Sequence, residues 1–99
     1  MKYKFSAKAL EDIEGIWMYT ASTWSVEQAD RYVNLIFDEV EYLARNPHAG
    51  KDIRSIRENY WCAKVKSHLI FYKLTGTLQL IEIIRVLHER MDIENQLKD

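Results

Sequence analysis

Val65-Lys66-Ser67-His68-Leu69-Ile70-Phe71-Tyr72-Lys73, followed by Ile83-Ile84-Arg85-Val86-Leu87-His88-Glu89-Arg90-Met91-Asp92, decides the fold of this chain. Both stretches are crowded with β-branched and aromatic residues, and they read as strands that close the end of a small domain. Working outward, the strand-like pattern begins after Gly50, over Ile53–Arg57, Tyr60–Lys66, Leu69–Leu74 and Leu78–Leu87. The connections Glu58-Asn59, Lys66-Ser67-His68 and Thr75-Gly76-Thr77 are short enough for hairpins. The last strand is apolar on both faces, which places it centrally in the sheet.

Upstream of Gly50 the period is helical. Lys2–Phe5 alternates as a short strand does, and Ser6 has the character of an N-cap. Leu10, Ile13, Trp17 and Thr20 then recur along one helix face, widened by Ala9 and Ile16, with Glu11, Asp12 and Glu14 near the positive end of the macrodipole. This helix fades around Ala21–Thr23. Ser25, with Gln28 three residues on, opens a second helix as a capping box. Its stripe is Ala29, Tyr32, Val33, Ile36, Val40, Leu43 and Ala44, and its outer face carries Asp30, Arg31, Asn34, Asp38, Glu41 and Arg45. Asn46-Pro47 stops it, because the residue before proline resists the helical region. Two helices joined this closely pack antiparallel. The expected architecture is α+β: a short N-terminal strand and a two-helix hairpin packed on a mainly antiparallel sheet. The tail Asp92–Asp99 forms at most one helical turn.

With 99 residues the chain has room for one domain, spanning 1–99. The single cysteine, Cys62, excludes an internal disulfide and suits a reducing compartment. No apolar run approaches a membrane span and no signal-peptide core opens the chain, so a cytoplasmic protein is expected. The net charge of −1 argues against direct nucleic-acid binding, which usually needs a basic excess. Yet from Lys51 to Lys73 six basic residues face two acidic ones, a local charge of +4. That stretch suits a solvated sheet face or a landing surface for an acidic partner.

Chemistry-bearing patterns are few. His48, His68 and His88 have no metal-ligand spacing, no glycine-rich turn opens a helix, and no cofactor or metal is expected. Cys62 reads as a structural thiol. RNA cleavage by 2′-OH attack would need a base, an acid and a cation, roles for which Arg57, Lys64, Arg85 and His88 are the candidates on one sheet face. The competing reading of Arg85, set among Ile83, Ile84, Val86 and Leu87, is an ion pair with Glu89 or Asp92. His88 reads equally as a hydrogen-bonding strand end.

The order Ser67-His68, Ile70-Phe71-Tyr72, then Ile83, Arg85, Leu87-His88 and Met91-Asp92 resembles the ParE branch of the RelE/ParE toxin superfamily. The likeness extends to Tyr19-Thr20, Trp24, Gln28-Ala29, Leu43 through Gly50 and Ile56 through Tyr60, nearly the whole chain. The resemblance implies the toxin of a type II toxin–antitoxin system that poisons DNA gyrase on cleaved DNA through protein contacts, without an active site of its own. It also implies a ParD-like antitoxin whose C-terminal segment folds on the toxin. Candidate antitoxin-binding residues are Arg54, Arg57, Lys64 and Lys66, and candidate gyrase-facing residues are Asp38 and Glu41. The alternative is a RelE-like ribosome-dependent mRNA endonuclease using Arg57, Lys64, Arg85 and His88. Such nucleases typically add a His or Tyr near the C terminus, and Ile93–Asp99 contains neither. A third possibility is a decayed toxin that retains only antitoxin binding.

Overall fold

A computed structural model describes residues 2–76 and 80–97. The element order is β1 (Lys2–Phe5), α1 (Ala7–Thr23), α2 (Val26–Arg45), β2 (Lys51–Asp52), β3 (Tyr60–Val65), β4 (His68–Thr75), β5 (Leu80–His88) and α3 (Ile93–Gln96). The expected Leu78 and Gln79 strand positions, and Thr77 of the preceding turn, lie outside the described residues. The strands form one sheet in the order β1-β5-β4-β3-β2. β5 is an interior strand, as its two apolar faces require, parallel to the edge strand β1 and antiparallel to the middle strand β4.

The helices start where capping chemistry puts them. Ser6 Oγ accepts from Ala9 N (3.0 Å) and Ser25 Oγ from Gln28 N (3.0 Å), satisfying amides left over at each N-terminus. The hairpin covers one sheet face. There Ala9, Ile13, Ile36, Val40, Leu43 and Ala44 meet Val65, Ile70, Tyr72, Ile81, Ile83 and Val86. On the other face Ile53, Phe71, Leu87 and Leu97 form a second cluster, so the tail helix α3 is tied down by Leu97.

Four expectations are corrected. Ile53–Arg57 is not a strand: β2 ends at Asp52, whose Oδ1 caps Arg54 N (2.9 Å), and Ile56 N and Arg57 N both donate to Ile53 O. Local turn bonds there outcompete strand pairing. Leu10 is not core but half exposed, on the side of α1 turned away from the sheet. Trp17 is only partly buried, and its indole N–H reaches Asp30 Oδ1 at 2.9 Å, which takes Asp30 out of the purely solvated outer face. The β3–β4 connection is the two residues Lys66-Ser67, with His68 already in β4; Lys66 adopts φ 54°, the positive angle such tight hairpins demand.

A bulge sits in the β4–β5 ladder: Phe71 pairs with Arg85 and Tyr72 with Ile83, which leaves Ile84 as the extra residue. The Ile84 carbonyl accepts from Ser6 Oγ (2.7 Å), and Ser6 N donates to Ile83 O, so the start of α1 is pinned to the bulge. Bulges bend a strand and re-aim its side chains. Here the affected residue is Arg85.

Candidate functional site

Arg85 meets Asp12 of α1, not Glu89 or Asp92 as its sequence neighbourhood suggested. Nε lies 2.7 Å from Oδ2 and Nη2 2.9 Å from Oδ1, a two-point pair; Asp12 Oδ2 also accepts Val86 N at 3.0 Å. Both side chains are largely buried, and the pair pushes the guanidinium pKa further up. Nη1 of Arg85 also donates to the Gln96 carbonyl (3.3 Å), so one side chain ties α1, β5 and α3 together. Its role in this structure is that of a clasp.

Beyond the clasp, the end of the sheet opens into a trough against the helical hairpin. The short Lys66-Ser67 turn sets His68 at the first position of β4, where the register pairs it with His88, the last residue of β5. The two imidazoles stand edge to face, 5.2 Å apart. His68 Nδ1 is 2.6 Å from the Tyr32 hydroxyl, which itself accepts Ser67 N at 3.3 Å. In the tautomer where Tyr32, already accepting from Ser67, gives its proton to Nδ1, a neutral His68 carries its hydrogen on Nε2. His88 Nδ1 accepts Arg90 N (3.1 Å), which gives a neutral His88 the same tautomer. Burial, and then the neighbouring His88, pushes the His68 pKa below its usual value, while burial pushes the Tyr32 hydroxyl up.

Two adjoining hollows of about 430 and 560 Å³ share Tyr19, Thr20, His68 and His88 as walls. The first runs along α1 over Glu11, Ile16 and Val86 to Met91; the second crosses to α2 past Trp24, Gln28, Arg31, Leu35 and Lys66. Tyr19 is 68% exposed, Trp24 69% and Met91 47%, so the trough is rimmed by large apolar side chains facing water. A contiguous patch of this kind marks a place where another molecule sits.

The sequence-derived candidates are scattered. Lys66 lies on the trough. Lys64 is paired with Glu89 (3.1 Å) and lowers that carboxyl's pKa. Arg54 pairs with Asp52 (2.7 Å) at the outer edge of the sheet. Arg57 sits 5.9 Å over the Tyr60 ring at the start of β3, about 13 Å of strand away from Lys64. The four residues of the nuclease reading therefore do not converge: Arg85 is clasped by Asp12, and Arg57 and Lys64 stand near opposite ends of one strand. Asp38 and Glu41 are exposed on α2, away from the trough linings. Burial pushes the Cys62 thiol pKa up, as in an unreactive cysteine. Among the described residues no three His, Cys, Asp or Glu side chains are grouped to hold a metal ion, and no helix is long and apolar enough to cross a membrane.

Tyr19, Trp24, Tyr32 and Met91 were not singled out as site residues by chemistry alone. For Tyr19 and Trp24 a signal existed: both are large aromatics off the Leu10–Ile13–Trp17–Thr20 stripe.

Comparison with known proteins adds the family context. The model of the ParE toxin of type II toxin–antitoxin systems, parDE, matches residues 3–93. The chain is 35% identical over 96 residues to toxin ParE1 of Mycobacterium tuberculosis, covering 97% of each chain. It is 34% identical over 95 residues to toxin ParE1 of Caulobacter vibrioides, covering 96% of each. Its fold is similar to a solved chain of the chromosomal ParDE toxin–antitoxin system from P. aeruginosa, with a TM-score of 0.76 and 22% identity, covering 89% of this chain and 95% of that one.

Proposed function

Because the chain belongs to the ParE toxin family of type II toxin–antitoxin systems, we propose that it acts by protein contact on DNA gyrase, arresting the enzyme on cleaved DNA, and that a ParD-like antitoxin neutralises it. The observation that carries this reading is the trough: a large apolar recess with exposed aromatic rims, built to hold a protein segment. An amphipathic antitoxin helix would lay its apolar side against Tyr19, Trp24, Leu35 and Met91. A following extended stretch has an edge to join, since β2 pairs with Trp61 and Cys62, Ile53 N reaches Tyr60 O, and the end of β3 from Ala63 to Val65 is left open on that side.

Catalysis is not part of this reading. An acid–base ribonuclease brings its base, acid and phosphate-binding cation to one place, whereas here Arg85 spends its charge on Asp12 and Arg57 stands a strand's length from Lys64. The exposed acidic residues Asp38 and Glu41 on α2 are the proposed approach to a basic region of gyrase.

The test adds purified toxin to a gyrase supercoiling assay and, separately, to a translating ribosome extract. Loss of supercoiling with accumulation of cleaved DNA, and intact mRNA, is the expected outcome. Codon-positioned mRNA cuts with undisturbed supercoiling would instead establish the ribonuclease reading.

A further inference from the structure

The trough holds an arrangement that apolar docking does not use. At the ends of β4 and β5 two histidines stand side by side, each with Nδ1 occupied, by Tyr32 and by Arg90 N respectively. Among the described residues neither Nε2 makes a hydrogen bond, and none of the polar side-chain atoms buried there lacks a partner, so both Nε2–H groups open to the trough. The hollow on the α2 side is lined by Arg31 and Lys66 as well as the two histidines, and by no aspartate or glutamate. That is a concentration of donors and positive charge in a chain whose net charge is −1.

We propose that His68 and His88 form an anchor for one aspartate or glutamate side chain of the antitoxin helix, with Arg31 and Lys66 guiding that carboxylate in. The inference rests on the placement of the antitoxin in this trough. Two neighbouring imidazoles, their ring centres 5.2 Å apart, can both donate to one carboxylate, and a buried acceptor without such donors would be penalised there. The anchor also takes up a proton. In the free toxin, burial and the His88 neighbour hold the His68 pKa below its usual value; a carboxylate delivered into contact raises it. The groups facing the pair are Glu11 and Asp12 from α1, Arg31 and Tyr32 from α2, Lys66 from the β3–β4 turn, and Glu89 and Arg90 after β5. Of these acids Asp12 is held by Arg85 and Glu89 by Lys64, and Glu11 lines only the α1 hollow, so the α2 hollow has no carboxylate of its own to offer the histidines.

The sign follows. Binding raises a histidine pKa, so the complex binds more protons than the free partners, and affinity increases as pH falls from 8 to 6. The experiment is calorimetric titration of the full-length toxin with its purified cognate antitoxin, at pH 8, 7 and 6, in two buffers of different ionisation enthalpy. The expected result is net proton uptake and about a tenfold tightening across that range. His68→Gln with His88→Gln retains an N–H donor at each position but cannot titrate; this variant should still bind, with an affinity flat in pH and about tenfold weaker than wild type at pH 6. His88→Gln alone, where the only side-chain hydrogen bond among the described residues is to Arg90 N, should show a reduced slope without disturbing Tyr32. A wild-type affinity that is flat or weakens on acidification, or a double variant with the wild-type slope, overturns the anchor. Tyr19→Ala with Trp24→Ala tests the underlying placement separately. If that pair weakens binding while the wild-type pH profile is flat, only the anchor falls; if it leaves the affinity unchanged, the antitoxin docks elsewhere and both fall.

Discussion

Replacing Asp12 by alanine removes the acceptor of three hydrogen bonds at once, from Nε and Nη2 of Arg85 and from the Val86 amide. The guanidinium is left with a single 3.3 Å bond to the Gln96 carbonyl, while its side chain is only 16% exposed. Breaking a buried ion pair by deleting one partner costs about 3–5 kcal/mol, since the other charge stays uncompensated. The small residual access to water favours the lower end, about 3 kcal/mol. A domain of this size has about 5–15 kcal/mol of stability, so the variant still folds, but its melting temperature should fall by about 12–24 °C. Thermal and urea unfolding followed by circular dichroism read both quantities. Pairing Asp12→Leu with Arg85→Met replaces the clasp by apolar groups of similar size and should recover most of the loss. A drop below about 4 °C for Asp12→Ala, or a double variant no better than the single one, would refute the idea that Arg85 is a clasp. Arg85 would then be available for another task.

Lys66→Glu should slow antitoxin association in stopped-flow measurements more than Lys64→Glu does, because Glu89 already meets the Lys64 charge; equal on-rates would count against Lys66 as a steering residue. Reversing Asp38 and Glu41 to lysine should change stability by no more than about 0.5 kcal/mol and leave antitoxin binding intact, both residues being exposed. Reduced gyrase inhibition in that variant assigns the α2 face to gyrase, and unchanged inhibition moves the contact elsewhere. Gly50→Ala should cost about 2–3 kcal/mol in urea unfolding, because a β-carbon there collides with the Tyr72 hydroxyl and lies 2.9 Å from the Cys62 carbonyl. That hydroxyl accepts Gly50 N and donates to Pro47 O, so Tyr72→Phe, which removes it, should make the glycine substitution less costly.

The helices were legible because their signals are local. Ser6 and Ser25 cap where they stand, Asn46-Pro47 stops α2, and the α2 stripe from Ala29 to Ala44 turns inward residue for residue. β5 announced its interior place by being apolar on both faces. The misreadings came where local patterns compete. Ile53–Arg57 has strand composition, yet an Asp52 cap and bonds back to the Ile53 carbonyl make it a turn. Leu10 and Trp17 share the helical stripe, but Leu10 is half exposed and Trp17 turns its indole N–H to Asp30 of α2.

Family membership was equally readable, because short fragments in a fixed order survive as a pattern even when each is weak. The site was not. Asp12 and Arg85 are 73 residues apart, and Tyr32 and His68 are 36 apart; no sequence period links such pairs. His68 and His88 become neighbours only because a two-residue turn, a bulge and the β4–β5 register bring one strand's first residue beside the other's last. Sequence by itself therefore determined the elements, their order and the family, since those depend on contacts a few residues apart. Tertiary structure alone decided which charges are already spent and which remain for a partner, because a charge is neutralised by what lies within a few ångströms of it in space.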